Sequence, residues 1–98
     1  MPSALLAGQL EAIRIIDRKI DGIRLELFRR TRVRIFDAGS WQLAWDRHPD
    51  LSERHDGLFR LRGVAQQTRD LIIEREYQAA RRRERTMRRK AAVTEVLP

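Results

Sequence analysis

Aliphatic residues recur at alternating spacings of three and four along the first part of the chain and predict one long amphipathic helix. On a helix of 3.6 residues per turn, side chains at these spacings share one stripe. Ser3 precedes the run and is a suitable N-cap. The pattern weakens after Phe28. Residues 33–36 form either the last turn of this helix, which then spans residues 3–36, or a short extended segment. The stripe consists of Leu6, Leu10, Ile13, Ile16, Ile20, Ile23 and Leu27, with Leu5 and Phe28 at its edges.

A second stripe with similar spacing follows Pro49 and predicts a second long helix over residues 51–80. Asp50 and Glu53 have the spacing of a capping box at its start. Two such helices joined by a short connection predict an all-α fold, an antiparallel and coiled-coil-like helical hairpin. The second stripe consists of Leu58, Leu61, Ala65, Thr68 and Ile72, with Val64 and Leu71 at its edges.

The connection between the two helices contains both tryptophans. Trp41 and Trp45 lie four residues apart and predict a short helix over residues 41–47, capped by Ser40 or Asp37. The helix should end before Pro49, because the residue that precedes a proline is disfavoured in the α region. Two interpretations remain open. The tryptophans cover the open end of the hairpin, or they form an anchor for a protein partner.

Two aliphatic residues of the first helix, Ile15 and Leu25, point away from its main stripe. Isolated exposed aliphatics are common on protein surfaces. The alternative is contact with a second subunit, so we include both residues with the tryptophans as candidate protein-interface residues. A hairpin of this size has a small core, so we expect either the short tryptophan-bearing helix to add a third layer or self-association into a four-helix bundle.

Almost all of the net charge of +7 lies in one segment, because residues 81–90 carry seven basic residues and one acidic residue. Glu84 and Arg88 are spaced for an i,i+4 ion pair, so this segment can remain helical. We divide the chain into a hairpin core, residues 1–80, and an arginine-rich tail, residues 81–98, that frays beyond residue 90. The candidate nucleic-acid-binding residues are Arg81, Arg82, Arg83, Arg85, Arg88, Arg89 and Lys90.

The basic tail favours a partner that is rich in negative charge. Arginine forks bind phosphate oxygens well, so nucleic acid is the leading candidate and an acidic protein surface is the alternative. The run Arg81-Arg82-Arg83-Glu84-Arg85 resembles the arginine-rich motif of phage antitermination peptides. That resemblance implies RNA-hairpin binding. Those peptides carry the motif at their N-terminus, whereas here it lies near the C-terminus.

Other features exclude several classes of protein. The chain has no cysteine, and therefore no disulfide or thiolate chemistry. It has no apolar run of membrane-spanning length and no basic segment of the kind that begins a signal peptide. We therefore expect a soluble protein, cytoplasmic or virion-associated. A glycine-rich phosphate loop and a nucleophile beside a base are both missing, so we expect neither an enzyme nor a cofactor.

One polar cluster near the connection deserves comparison with a metal site. Its histidines, His48 and His55, lie seven residues apart across a helix start, and no carboxylate lies one helical turn away from a histidine within the same regular helix. Helix caps and a polar loop explain the cluster, and we predict no metal. The cluster consists of Asp46, His48, Asp50, Glu53, His55 and Asp56.

These observations lead to two hypotheses of different classes. The first is a non-enzymatic protein that binds nucleic acid through its tail and self-associates through its hairpin. The alternative is a structural or adaptor subunit of a larger assembly, such as a phage particle, a secretion or conjugation apparatus, or a ribonucleoprotein effector. In that case the tail, the tryptophans or the outward-facing aliphatics would bind protein.

Overall fold

The computed structural model describes residues 3–32 and 38–96, which form three α-helices and no strand. The helices are α1 (Ala4–Thr31), α2 (Ala38–Arg47) and α3 (Pro49–Val96). The molecule is elongated, with extents of 79 × 22 × 18 Å. The prediction of an all-helical protein is confirmed.

Ser3 is the N-cap of α1, as predicted. Its Oγ accepts a hydrogen bond from the backbone N–H of Leu6 at 3.1 Å, which satisfies one of the free donors of the first turn. The same hydroxyl donates to the carboxylate of Glu76 on α3. Ser3 therefore both starts α1 and joins it to the longest helix.

The predicted end of the first helix at residue 36 is wrong, because α1 ends at Thr31. Arg32 adopts the left-handed conformation, with φ 56° and ψ 28°, and its N–H bonds to the carbonyl of Phe28 at 2.7 Å. A left-handed residue at this position satisfies a free carbonyl and stops the helix. The predicted residues 33–36 lie outside the described residues.

Helices α2 and α3 begin slightly earlier than predicted. Helix α2 begins at Ala38, so Ser40 lies inside it rather than at its cap, and Asp37 is outside the described residues. It ends at Arg47, as the proline rule predicts. Helix α3 begins at Pro49, a favourable first position for proline. Asp50 therefore lies in the first turn of α3, and the predicted capping box is wrong.

Helix α3 continues through the arginine-rich segment to Val96. The predicted fraying beyond residue 90 is therefore wrong for residues 91–96, whereas residues 97–98 lie outside the described residues. Residues that favour helix, including Ala91 and Ala92, extend the helix here. The expected ion pair between Glu84 and Arg88 is present at 2.6 Å.

Helices α1 and α3 lie against each other in opposite directions. The bonded pairs advance along α1 as they retreat along α3: Ser3 with Glu76, Asp17 with Arg62, Arg24 with His55, and Arg30 with Asp50. Near the middle of the contact, Gln9 donates its side-chain N–H to the carbonyl of Ala65 at 2.8 Å. These polar contacts flank an apolar seam.

The seam contains two buried clusters. The first packs Ile13, Ile16 and Ile20 of α1 against Ala65 of α3. The second packs Ile23 and Leu27 of α1 against Ala44 of α2 and Leu51 of α3, with both tryptophans resting on it. Leu58 of α3 contacts both clusters and joins them. Three large side chains of α1 therefore meet the small side chain of Ala65 at the first cluster.

The structure divides the predicted stripe of α3 into two faces. Ala65 and Ile72 are buried and Leu58 is half-buried, whereas Leu61 and Thr68, predicted to lie in the same stripe, are exposed. Val64 and Leu71, predicted at its edges, are exposed as well. Helix α1 is too narrow to cover the whole stripe, so it covers one edge only.

Truncation of the most buried leucine should test this core. Leu27 has no exposed surface, and we expect Leu27→Ala to lower the free energy of unfolding by about 3 kcal/mol, since it removes apolar contacts and leaves a cavity. Urea denaturation followed by circular dichroism measures the change. Leu43→Ala, at an exposed position of α2, is the matched control and should cost less than about 1 kcal/mol. Equal losses from the two variants would contradict the described core.

An ion-pair network joins the end of α1 to the start of α3. Arg30 donates to Glu26 one turn earlier, at 3.1 Å, and to the carboxylate of Asp50, also at 3.1 Å. The hydrogen bond from Arg30 lowers the pKa of Asp50. The pKa of Arg30 is raised in turn by its hydrogen bonds to Asp50 and Glu26.

The lowered pKa of Asp50 predicts an acid-sensitive contribution to stability. The folded chain binds this proton more weakly than the unfolded chain, so the contribution is complete above about pH 4 and is lost as the pH falls further. We expect Asp50→Asn to lower the melting temperature at pH 6. This difference should shrink towards zero near pH 2 in thermal melts of the two proteins. A difference that stays constant across this range would contradict the contact.

Candidate protein and nucleic-acid interfaces

A groove of about 670 Å³ lies where all three helices meet. Leu25 and Phe28 of α1 form one wall, and the two tryptophans of α2 form the other. Asp21, Arg24 and His55 add polar atoms to the lining. The groove is thus an apolar depression with a few charged or polar groups, a composition typical of binding sites.

Four rings form a continuous row beside this groove. The rings of Trp41 and Trp45 have centroids 6.3 Å apart, and that of Trp45 lies 4.6 Å from His55. His55 stacks in turn on Phe59, with centroids 5.5 Å apart. Helices α2 and α3 each contribute two rings four residues apart, so helical spacing places the two rings of each pair on one side of their helix.

The tryptophans also belong to the fold. Both are half-buried and pack on the cluster formed by Ile23, Leu27, Ala44 and Leu51. Arg24 fixes the neighbouring imidazole by donating its Nε–H to Nε2 of His55 at 3.3 Å. Packing on the core therefore holds the two tryptophans in place, and a hydrogen bond holds His55 beside them.

The structure brings three of the four candidate protein-interface residues together. Leu25, Trp41 and Trp45 line the groove, whereas Ile15 is exposed on a different side of α1. Neither Phe28 nor His55 was predicted as a residue of this site. Phe28 follows Leu25 by three residues, a spacing that could have indicated their shared wall, but the position of His55 depends on the packing of α3.

The polar residues considered as metal ligands in the sequence have separate partners in the fold. Asp50 pairs with Arg30, and His55 lies in the aromatic row with its Nδ1 at 3.5 Å from the carboxylate of Asp56. In the part of the chain that the structure describes, no group of three or more histidines and carboxylates has the geometry of a metal site.

The candidate nucleic-acid-binding residues all lie on the exposed extension of α3. Ser3, at the start of α1, bonds to Glu76, and α3 continues for about 20 residues beyond that contact. At 1.5 Å per residue this extension is about 30 Å long. Every described side chain from Tyr77 to Thr94 is exposed. The basic segment therefore projects beyond the packed helices.

Basic side chains surround most of this extension. At 100° per residue, the seven positions from Arg81 to Lys90 cover about 220° of the circumference. The remaining face carries Ala80, Glu84, Met87 and Ala91. Arg81 is held by Tyr77, with a hydrogen bond of 3.3 Å to its hydroxyl and the guanidinium 5.8 Å from the ring centroid. Arg88 is held by Glu84.

No family model, curated protein or solved structure matches this chain. Within residues 3–32 and 38–96, no helix has a stretch long and apolar enough to cross a lipid bilayer.

Two variants test which wall of the groove supports the fold and which contributes only exposed surface. We expect Trp45→Ala to lower the free energy of unfolding by about 2 kcal/mol, because its ring packs on the core cluster. Leu25→Ala, on the opposite wall and half exposed, should cost less than about 1 kcal/mol. Urea denaturation of both variants measures these costs. The reverse order would mean that the tryptophan does not support the fold.

Proposed function

We propose that this protein is a non-enzymatic nucleic-acid-binding protein whose contacts with phosphate come from the arginine-rich extension of α3. In this proposal α1 and α3 form a coiled-coil-like hairpin, closed by the tryptophan-bearing α2, that mediates self-association. The observation that carries the proposal is the concentration of seven basic residues on the extension of α3, where every described side chain from Tyr77 to Thr94 is exposed.

The distribution of charge supports a partner with phosphates on more than one side. An α-helix with its side chains is about 10–12 Å wide, and the major groove of B-form DNA is about 12 Å wide. A helix in such a groove is flanked by two phosphate backbones. Basic side chains over about 220° of the circumference would face both of them.

The same distribution argues against a flat acidic protein surface as the main partner. A flat surface contacts one side of a helix, so a single basic stripe would be enough. Here Arg83 and Arg88 lie on opposite edges of the basic region. They are about 140° apart, measured across the remaining face of the helix. One flat surface could not neutralise both edges together.

The aromatic groove favours a second candidate function, an adaptor that binds a protein partner. Leu25 and Phe28 are exposed beside the tryptophans, and paired aromatic side chains are common anchors of protein interfaces. This function belongs to a different part of the molecule and is compatible with phosphate binding by the extension.

Salt dependence of binding provides the main test. If the extension neutralises about six phosphates, log Kd should rise with log salt concentration with a slope near 5. We expect the triple variant Arg82→Gln, Arg83→Gln, Arg85→Gln to lower this slope to about 3, because three contacts are lost. Glutamine retains helix propensity, so the extension should stay helical. Fluorescence anisotropy with labelled duplex DNA and hairpin RNA measures the slopes.

A matched variant controls for the loss of net charge. Arg14→Gln, Arg18→Gln, Arg29→Gln removes three exposed basic residues from α1 and should leave the slope near 5. A labelled acidic peptide of matched length tests the protein alternative. Equal slopes for the two triple variants, or binding of the peptide but not of either nucleic acid, would contradict the proposal.

A further inference from the structure

Helix α3 carries a second apolar stripe that no other part of the described chain covers. Leu61, Val64 and Leu71 are 52%, 58% and 60% exposed, and Thr68 completes their spacing of three, four and three. This stripe lies beside the face of α3 that packs on α1 through Leu58, Ala65 and Ile72. We call it the outer stripe.

Helix α1 adds apolar surface on the same side of the molecule. Lys19 and Gly22 of α1 line one surface groove together with Gly57 and Leu61 of α3, so these positions share a side. Towards the start of α1, the helical repeat places Leu5, Gly8, Ala12 and Ile15 on this side. Leu5 and Ile15 are exposed. The small residues between them would allow another helix to approach closely.

The charged residues beside the outer stripe indicate which partner binds it. Five exposed residues of α3 follow one edge of the stripe at intervals of seven, in the order acidic, basic, neutral, acidic, basic. When this series is reversed about its centre, every acidic residue faces a basic one. The series is Glu53, Arg60, Gln67, Glu74 and Arg81.

We propose that a second copy of this chain docks antiparallel on the outer stripe, with the two-fold axis at Gln67. Arg60 then faces Glu74 of the second copy, and Glu53 faces its Arg81. In the apolar layers, Leu61 meets Leu71 of the second copy and Val64 meets its Thr68. This inference rests on the self-association in the proposed function and specifies its surface, direction and register.

Other arrangements of the same two stripes are disfavoured by charge. A shift by one heptad brings Glu53 against Glu74 of the second copy, and the opposite shift brings Arg60 against its Arg81. Like charges held in this way are destabilising. In a parallel pair the same edge residues would face Leu58, Ala65 and Ile72, which pack on α1. The antiparallel register alone pairs every charge of the series.

The position of α1 agrees with this axis. The contacts of Ser3 with Glu76 and of Asp17 with Arg62 bracket the level of Gln67, which corresponds to the region of Ala12. The two copies of α1 would therefore meet around Ala12, and the dimer would be a four-helix bundle. The two arginine-rich segments would then point to opposite ends, with centres about 55 Å apart at 1.5 Å per residue.

Charge reversal at one symmetric pair provides the test. Sedimentation equilibrium of the full chain should give a mass twice the chain mass of 11.6 kDa. Arg60→Glu alone and Glu74→Arg alone should each weaken the dimer at least about tenfold, because each places like charges at two symmetric positions. An equal mixture of these two variants, and the chain carrying both changes, should regain the dimer to within about threefold.

The restoring mixture is specific to the antiparallel pairing, since only there does position 60 of one copy meet position 74 of the other. Arg18→Glu, at an exposed position on the far side of α1, is the matched control and should leave the dimer unchanged. Circular dichroism checks that every variant is helical. A chain that stays at 11.6 kDa, or single variants that dimerise as well as the mixture, would overturn the proposal.

The same experiment separates this inference from phosphate binding. The triple variant Arg82→Gln, Arg83→Gln, Arg85→Gln leaves the outer stripe and its charge series intact, so its mass should remain that of a dimer. Conversely, the monomeric Arg60→Glu chain should retain a salt-dependent affinity for nucleic acid per chain. Loss of one property without the other therefore shows which of the two proposals is wrong.

Discussion

Burial of one aliphatic stripe on α1 is the interaction on which the rest of the described structure depends. Among the described residues nine hydrophobic side chains are buried. Five of them belong to this stripe, and the others are the positions of α2 and α3 that cover it. No described polar or charged side chain is buried. Polar contacts beside the apolar seam orient α1 against α3. They come from Ser3, Gln9 and Arg30, each of which bonds to α3.

The parts of the fold that follow from local spacing could be predicted from the sequence. The stripe of α1, its Ser3 cap and the end of α2 before Pro49 each depend on neighbouring residues. The end of α1 could not be predicted in this way. The left-handed residue that stops it is Arg32, and arginine carries none of the preference for this conformation that glycine has.

Features that depend on tertiary packing were also beyond the sequence pattern. The apolar positions of α3 read as one wide stripe, and only the observed position of α1 shows that Leu58 and Ala65 face inward while Leu61 and Val64 face outward. The groove likewise joins Leu25, predicted as an interface residue, to His55, whose place beside Trp45 follows from the packing of α3. The arginine-rich segment was evident from composition, and the spacing of Glu84 and Arg88 indicated that it can be helical, but the continuation of the helix to Val96 was not predicted.

The continuity of α3 gives the protein a built-in length. A disordered tail of the same composition would sample many distances from the folded part, with a spread that grows as the square root of its length. A helix instead sets one distance, which changes by 1.5 Å with every residue inserted or removed. Changes in the number of residues between Glu76 and Arg81 would therefore move the arginines in fixed steps along the axis without altering the core. The number of residues in the extension therefore sets the distance between the arginines and the core.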